Sequence, residues 1–371
     1  MMYLTKEEEE MLNSENETVA KAMEIVVKIG EIFGAERLIK IKSAHVSGIS
    51  YQNIGEEGLE WIESLNARVA VKTTVNPCGM DLEKWREMVS EDFYEKQMRI
   101  LKALERLGAE LTLTCTPYYI YKPEFGDHLA WAESSAVVYA NSLIGARTNR
   151  ESGISALASA ITGRTPYYGL HIKENRAPTV LVKIRGDLSL AGYKAGLELQ
   201  NEIPYFVLDK NVSEFELKLL GASLASTGNV AMFHVEGITP EWNYFEKPHE
   251  KVEIEAKVER CEADLVAIGC PHVSKEELEL ILKLLNGRRV KKKLWIFTSR
   301  YIADKNPEIV RKLEKLGAKV FCDTCIVVSP ILKGHECVMV NSGKALTYLP
   351  KLKKVNVVFG DLKTCIEEAV R

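Results

Sequence analysis

The chain has 371 residues, 46% apolar and 27% charged, with a formal net charge of -3. That length and balance exclude a disordered or fibrous protein and leave room for two or three globular domains with full cores. Lysine and glutamate are interspersed without a basic stripe, which argues against nucleic acid as the main partner and leaves an anionic small molecule open.

The start, MMYLTKEEEEML, lacks the basic and then apolar layout of a signal peptide. No apolar run approaches the roughly 20 residues of a membrane helix. A cytoplasmic location without membrane contact is therefore expected. Thr5 before Lys6 to Glu10 predicts a capped helix start, and an amphipathic helix follows over about Glu17 to Phe33, then a short strand, RLIKIK. Strand-like runs recur at NARVAVKTTV, ELTLT, APTVLVKI, IPYFVL and NVAMFHV. Segments with helical periodicity, such as EDFYEKQMRILKALERLG, separate most of them. Apolar strands alternating with helices indicate parallel α/β layers.

After the polar stretch GITPEWNYFEKPHEKVEIE the pattern becomes more regular. Strands at ADLVAIG, KKLWIFT, AKVF, CVMVN and VNVVFG alternate with helices at SKEELELILKLLN, NPEIVRKLEKLG and the chain end. A boundary near Lys247 to Glu255 divides the chain into an N-terminal α/β region, 1–250, of one or two lobes, and a C-terminal parallel-sheet domain, 251–371. Neither G-x-G-x-x-G nor G-x-x-x-x-G-K-[ST] occurs.

Open α/β sheets bind ligands beyond the carboxyl ends of their strands. Here those positions read SAHVSG (Ser43 to Gly48), NPCGMD (Asn76 to Asp81), CTPYY (Cys115 to Tyr119), GCPHVS (Gly269 to Ser274), TSRY (Thr298 to Tyr301), DTC (Asp323 to Cys325) and NSGKA (Asn341 to Ala345). Cys115, Cys270 and Cys325 end three separate strands, as expected of a shared site between domains. Structural disulfides are not expected in a reducing compartment, hyperthermophiles excepted. Glutamine occurs only at Gln52, Gln97 and Gln200 in a Lys- and Glu-rich chain, a thermophile-like bias.

The pair Cys322 and Cys325 admits a redox dithiol, half a zinc site, or one ligand beside a bystander. A structural zinc site prefers two close cysteine pairs, and a thioredoxin-like pair opens a helix, whereas Cys325 leads into IVV. Two readings remain: ordinary buried cysteines, or three thiolates on an iron–sulfur cluster with one iron left open. Cys261, Cys337 and Cys365 read as core residues, Cys78 as a neighbour of the site.

SAHVSG, NPCGMD, TCTPY, GDHLAWAESSAVVYANSLIGARTNRESG, GCPHVS, DTCIVV and NSGKA, in that order, make the chain resemble the large subunit of aconitase X, a branch of the aconitase superfamily. The resemblance spans essentially the whole chain. It implies an aconitase-superfamily-like α/β fold of two or three parallel-sheet domains around a central cleft. It further implies that Cys115, Cys270 and Cys325 hold a [4Fe–4S] cluster, with Cys322 a bystander. The implied activity is hydro-lyase chemistry on 5-phosphomevalonate in isoprenoid synthesis, with the open iron as Lewis acid. Hydroxyproline dehydration and non-catalytic metal or cluster binding are the alternatives. The base in relatives is a serine on a small swivelling domain, so a separate small subunit is the expected partner.

Within that frame Arg147 is the first candidate for an anionic substrate group, because guanidinium grips carboxylate or phosphate bidentately. The rival is a salt bridge to Glu151. Ser47, Gly48, Asn76, Ser135, Asn149, Arg300 and Ser342 are candidates for substrate binding, with turn formation or capping the rival for Asn76, Ser135 and Asn149 and a solvated side chain the rival for Arg300. Lys344, at a helix start suited to an anion, and Glu133, as an orienting group or an acid, join Arg147 as catalytic candidates. His45 and His272 are candidates to line the pocket or orient a ligand.

Overall fold

The computed structural model describes residues 2–208, 211–259 and 261–371. Among the described residues fourteen strands form four sheets, and every sheet of three or more strands is parallel. No helix among them is long and apolar enough to cross a membrane.

The first unit holds β1 (Leu38–Lys40), β2 (Ser43–Val46), β3 (Lys72–Val75), β4 (Leu129–Trp131) and β5 (Arg164–Pro166). Strands β3, β2 and β4 form a parallel sheet in that order, and β1 pairs antiparallel with β5. The helix Glu17–Ile32 starts where Asn16 accepts from the Thr18 and Val19 amides, and it buries Ala22, Met23 and Val26. The helix Glu91–Arg106, capped by Ser90, buries Gln97, Ile100, Leu101 and Leu104, the i, i+3, i+4, i+7 stripe of an amphipathic helix. Full burial of each such aliphatic side chain is worth about 1.5 to 3 kcal/mol.

The second unit is a parallel sheet in the order β8-β7-β6-β9, from β6 (Val180–Gly186), β7 (Pro204–Val207), β8 (His234–Val235) and β9 (Lys251–Ala256). The stretch chosen from sequence as a boundary thus runs into a strand paired with β6. The third unit orders its five parallel strands β12-β11-β10-β13-β14: β10 (Leu265–Val273), β11 (Lys293–Thr298), β12 (Lys319–Phe321), β13 (Cys337–Val340) and β14 (Asn356–Phe359). This doubly wound order, reversing at β10, puts a ligand crevice at the strand ends.

Several local expectations need correction. SAHVSG is not all loop, because Ser43–Val46 is β2 itself, pairing on both sides. ELTLT forms only an isolated bridge between Thr74 and Glu110. Leu113 takes a φ of 44°, which ends regular strand pairing there. Only Lys72–Val75 of NARVAVKTTV and His234–Val235 of NVAMFHV are strand, while β4 was not anticipated. Cys270 lies within β10 rather than after it, in a stretch where the register to β11 shifts.

Candidate active site

A cleft of about 290 Å³ opens between the first and third units. Ser47 and Gly48 line it just after β2, Asn76 after β3, and Glu133 after β4. Cys270 from β10, Cys325 beyond β12, and Lys344 and Tyr348 complete it from the third unit, with Cys115 facing them from the first. Gln97 holds two of the loops. Its Oε1 accepts from the amides of Tyr51 (3.0 Å) and Gly79 (3.2 Å), and its Nε2 donates to Ile49 O (2.9 Å).

Lys344 reaches the cleft because Gly343 lets its helix (Gly343–Lys353) approach the second unit closely. A Cβ there would lie 2.5 Å from Ser223 Oγ, and the Gly343 amide donates to Ser189 Oγ at 3.0 Å. Ser342 caps this helix by accepting from the Ala345 amide.

A buried polar chain crosses the floor of the cleft. His45 Nδ1 meets Thr74 Oγ1 at 2.8 Å and its Nε2 meets Asn76 Oδ1 at 3.2 Å. Asn76 Nδ2 donates to Glu133 Oε2 at 2.9 Å. The other Glu133 oxygen accepts from Lys344 Nζ, from Ser135 Oγ (3.0 Å) and from the Ser135 amide (3.2 Å). Burial opposes ionisation of Glu133, but the charge and hydrogen bond of Lys344, with Asn76 and the Ser135 amide, outweigh it and hold the carboxyl at about 2. Burial likewise opposes the charge on Lys344, yet Glu133, Cys270 and Cys115 keep it well above the ordinary lysine value. His45 and His272, both pushed down to about 4 by burial, are neutral.

All eight cysteines are free. Burial raises the thiols of Cys115, Cys325 and Cys270, the last to about 12. Main-chain amides of Val328 and Val327 stabilise the Cys325 thiolate, and Ser342 does so for Cys270. Buried thiols ionise once a cationic metal group binds them. Among the described residues no three His, Cys, Asp or Glu side chains are set to hold one metal ion. Cys115, Cys270 and Cys325 all line the cleft, and three thiols are donors of the chemical type that holds an iron–sulfur cluster. Cys322 and Cys78 are buried outside the lining, and Cys78 Sγ donates to Met80 O. Cys365 lies in the core of the third unit, with Cys261 and Cys337 packed against it.

The structure does not bring every candidate to this cleft. Arg147 bridges His128 at the start of β4, the end away from the cleft, and donates to His171 O at 3.1 Å. It makes no pair with Glu151, which accepts instead from Ser155 and Thr165. Asn149 holds a turn, accepting from the Leu170 amide (2.9 Å) and donating to Tyr168 O (3.0 Å). Arg300 is committed to Asp81 (2.9 Å), Glu83 (2.7 Å) and Asp323 (2.6 Å). Ser135 stands behind Glu133 and Lys344.

The arginine on the cleft is Arg150, which the sequence reading passed over. It bridges Trp131 at the far end of β4 and lines the cleft. Among the described residues its Nη1 donates only to neutral acceptors, Ala225 O (3.1 Å) and Asn229 Oδ1 (2.9 Å). The available signal was spacing: Arg150 lies three residues beyond Arg147 in an extended segment, about 10 Å farther along the strand.

The chain matches, in order, domain models described as aconitase X first domain (residues 1–174), second domain (178–266) and third domain (263–371). It is 48% identical over 386 residues to the phosphomevalonate dehydratase large subunit of Methanosarcina mazei, covering 99% of this chain and 97% of that protein. Four further archaeal proteins of the same name match at 40 to 43%. The cis-3-hydroxy-L-proline dehydratase of Pseudomonas aeruginosa is 33% identical across 95% of this chain and 67% of its own. The crystal structure of Thermococcus kodakaraensis aconitase X in its holo-form superposes with a TM-score of 0.92 at 42% identity, covering 99% of this chain and all of that one. The three domain models and the relatives together place this chain in the aconitase X family.

Proposed function

We propose that this chain is the large subunit of a phosphomevalonate dehydratase, a hydro-lyase that removes water from (R)-5-phosphomevalonate to give trans-anhydromevalonate 5-phosphate in isoprenoid synthesis. The observation that carries the reading is the meeting of Cys115, Cys270 and Cys325 in one cleft beside a buried Glu133–Lys344 pair and Arg150, whose bonds go to neutral acceptors. The likeness to five archaeal proteins of that name supports it.

The three cysteines would hold the cluster, of [4Fe–4S] type. When bound, it supplies Lewis acidity toward a substrate oxygen. The chain's own residues do the rest. Dehydration takes a proton from the carbon next to the carboxylate and releases hydroxide from its neighbour. Glu133 is ionised and its oxygens accept from Lys344, Ser135 and Asn76, so it orients Lys344 and Asn76 and is not a proton donor.

Lys344, in the first turn of its helix and with its charge paired to Glu133, lines the cleft and presents ammonium hydrogens and the helix start to a substrate anion. Ser47, Gly48 and Asn76 offer polar contacts on the opposite wall. Arg150 takes an anionic end of the substrate, since no carboxylate pairs with it among the described residues. The base is a serine of a small subunit; the relatives' name, large subunit, supports such a partner. Arg147, Asn149, Arg300 and Ser342 act in this reading as structural supports.

The test is anaerobic purification of the chain with its candidate small subunit, a cluster spectrum, and an assay of phosphomevalonate dehydration. A cluster, and turnover that needs both subunits, is the expected result. Turnover of hydroxyproline but not phosphomevalonate would reassign the substrate, and a complex without iron would end the cysteine assignment.

A further inference from the structure

We infer that His272 is a positioning residue that sets the spacing of the three cysteines. The inference rests on the proposal that Cys115, Cys270 and Cys325 hold the cluster. His272 lies two residues beyond Cys270 on β10 and is fully buried. Each of its four polar groups engages a different residue. Its amide donates to Cys115 Sγ at 3.2 Å, and its carbonyl accepts from Lys218 Nζ of the second unit at 3.0 Å. The ring Nε2 contacts Thr324 O at 2.8 Å, and Nδ1 contacts Thr114 Oγ1 at 3.0 Å.

A carbonyl only accepts, so Nε2 carries the ring proton and Nδ1 accepts from the Thr114 hydroxyl. Thr114 remains free to accept from the Thr116 amide at 3.1 Å. Thr114 directly precedes Cys115, and Thr324 directly precedes Cys325. One rigid ring on the strand of Cys270 therefore spans the backbones that carry the other two thiols. A site that must be held to within about 0.5 Å needs such a support, because the cysteines belong to units with separate cores.

The two ring bonds separate by substitution. His272→Asn keeps an acceptor near Nδ1 and drops the Thr324 link. His272→Gln puts an amide near Nε2 and drops the Thr114 link. Thr114→Val removes the Nδ1 link, together with the hydroxyl's contacts to Thr116, and leaves histidine and cysteines untouched. His234→Gln is the control: His234 is equally buried in the second unit, with Nε2 on Arg176 O at 2.8 Å.

Each full chain is loaded anaerobically with ferrous iron and sulfide, then followed by iron retention against a chelator, by cluster spectrum and by melting temperature. The expected result is a roughly 10- to 100-fold loss of iron retention, with an altered spectrum, in the His272 variants and Thr114→Val, and wild-type behaviour in His234→Gln. Wild-type retention and spectrum in the His272 and Thr114 variants would overturn the inference, as would an equal loss in His234→Gln. If the His272 variants do not fold, Thr114→Val alone decides. A wild-type chain that binds no iron defeats the cluster reading itself, a result distinct from variants that match an iron-loaded wild type.

Discussion

Replacing Lys344 with methionine isolates the buried ion pair at the centre of the cleft. The side chains of Lys344 and Glu133 are only 9% and 10% exposed. Methionine fills similar volume but leaves a buried carboxylate whose remaining partners are Asn76, Ser134 and Ser135. Removing one partner of a buried pair costs about 3 to 5 kcal/mol.

The pH dependence has a definite sign. In the wild type the depressed Glu133 value contributes stability that is fully present above about 4.5 and is lost as pH falls through about 2. In Lys344→Met burial acts on Glu133 without a cation and raises it, so the penalty grows as pH rises and fades on acidification. Urea unfolding at pH 7.5 and at pH 4.5 should therefore show the larger gap between variant and wild type at pH 7.5. The double variant Glu133→Gln/Lys344→Met should recover about half of the loss, a coupling expected only for residues in contact. A variant within about 1 kcal/mol of wild type at pH 7.5, or a gap that widens in acid, would refute the reasoning.

Three further outcomes follow from the same geometry. Arg150→Met should raise KM for phosphomevalonate roughly 10- to 100-fold, the worth of about 1.5 to 3 kcal/mol for charged hydrogen bonds, with little change in melting temperature; steady-state kinetics decide, and an unchanged KM removes Arg150 from the substrate. Arg300→Gln should cost roughly 3 kcal/mol in unfolding by stranding the buried Asp81 and Asp323, with KM unaltered, whereas a KM effect without a stability effect would restore it as a substrate ligand. Gly153→Ala should cost about 1 to 3 kcal/mol and reduce turnover, because its Cβ would lie 2.4 Å from Ser47 O on the cleft wall; full activity with normal stability would show that the Ser47 loop yields freely.

Much of the local structure was legible because its causes are local. In SKEELELILKLL the Ser274 hydroxyl and Glu277 carboxylate form a capping box and the leucines recur at helical spacing, so neighbours within a few residues determine the helix. KLWIFT and CVMV are short, apolar and bounded by turns, and both became parallel strands. The cysteines were only partly legible as strand-end residues: Cys325 follows β12, but Cys270 lies inside β10 and Cys115 follows a segment with no ladder, and it is the fold that sets all three on one cleft.

Tertiary structure decided the rest, because it depends on partners distant in the chain. SAHV became a strand by pairing with segments around Thr74 and Trp131, while ELTLT, as apolar, lost its ladder at Leu113. Arg300 and Arg147 carry the same guanidinium as Arg150, and composition cannot rank them. Arg300 finds Asp81, 219 residues away, and is neutralised. Arg147 and Arg150 lie beside opposite ends of β4, and three residues of extended chain, about 10 Å, separate a structural arginine from one that faces the cleft.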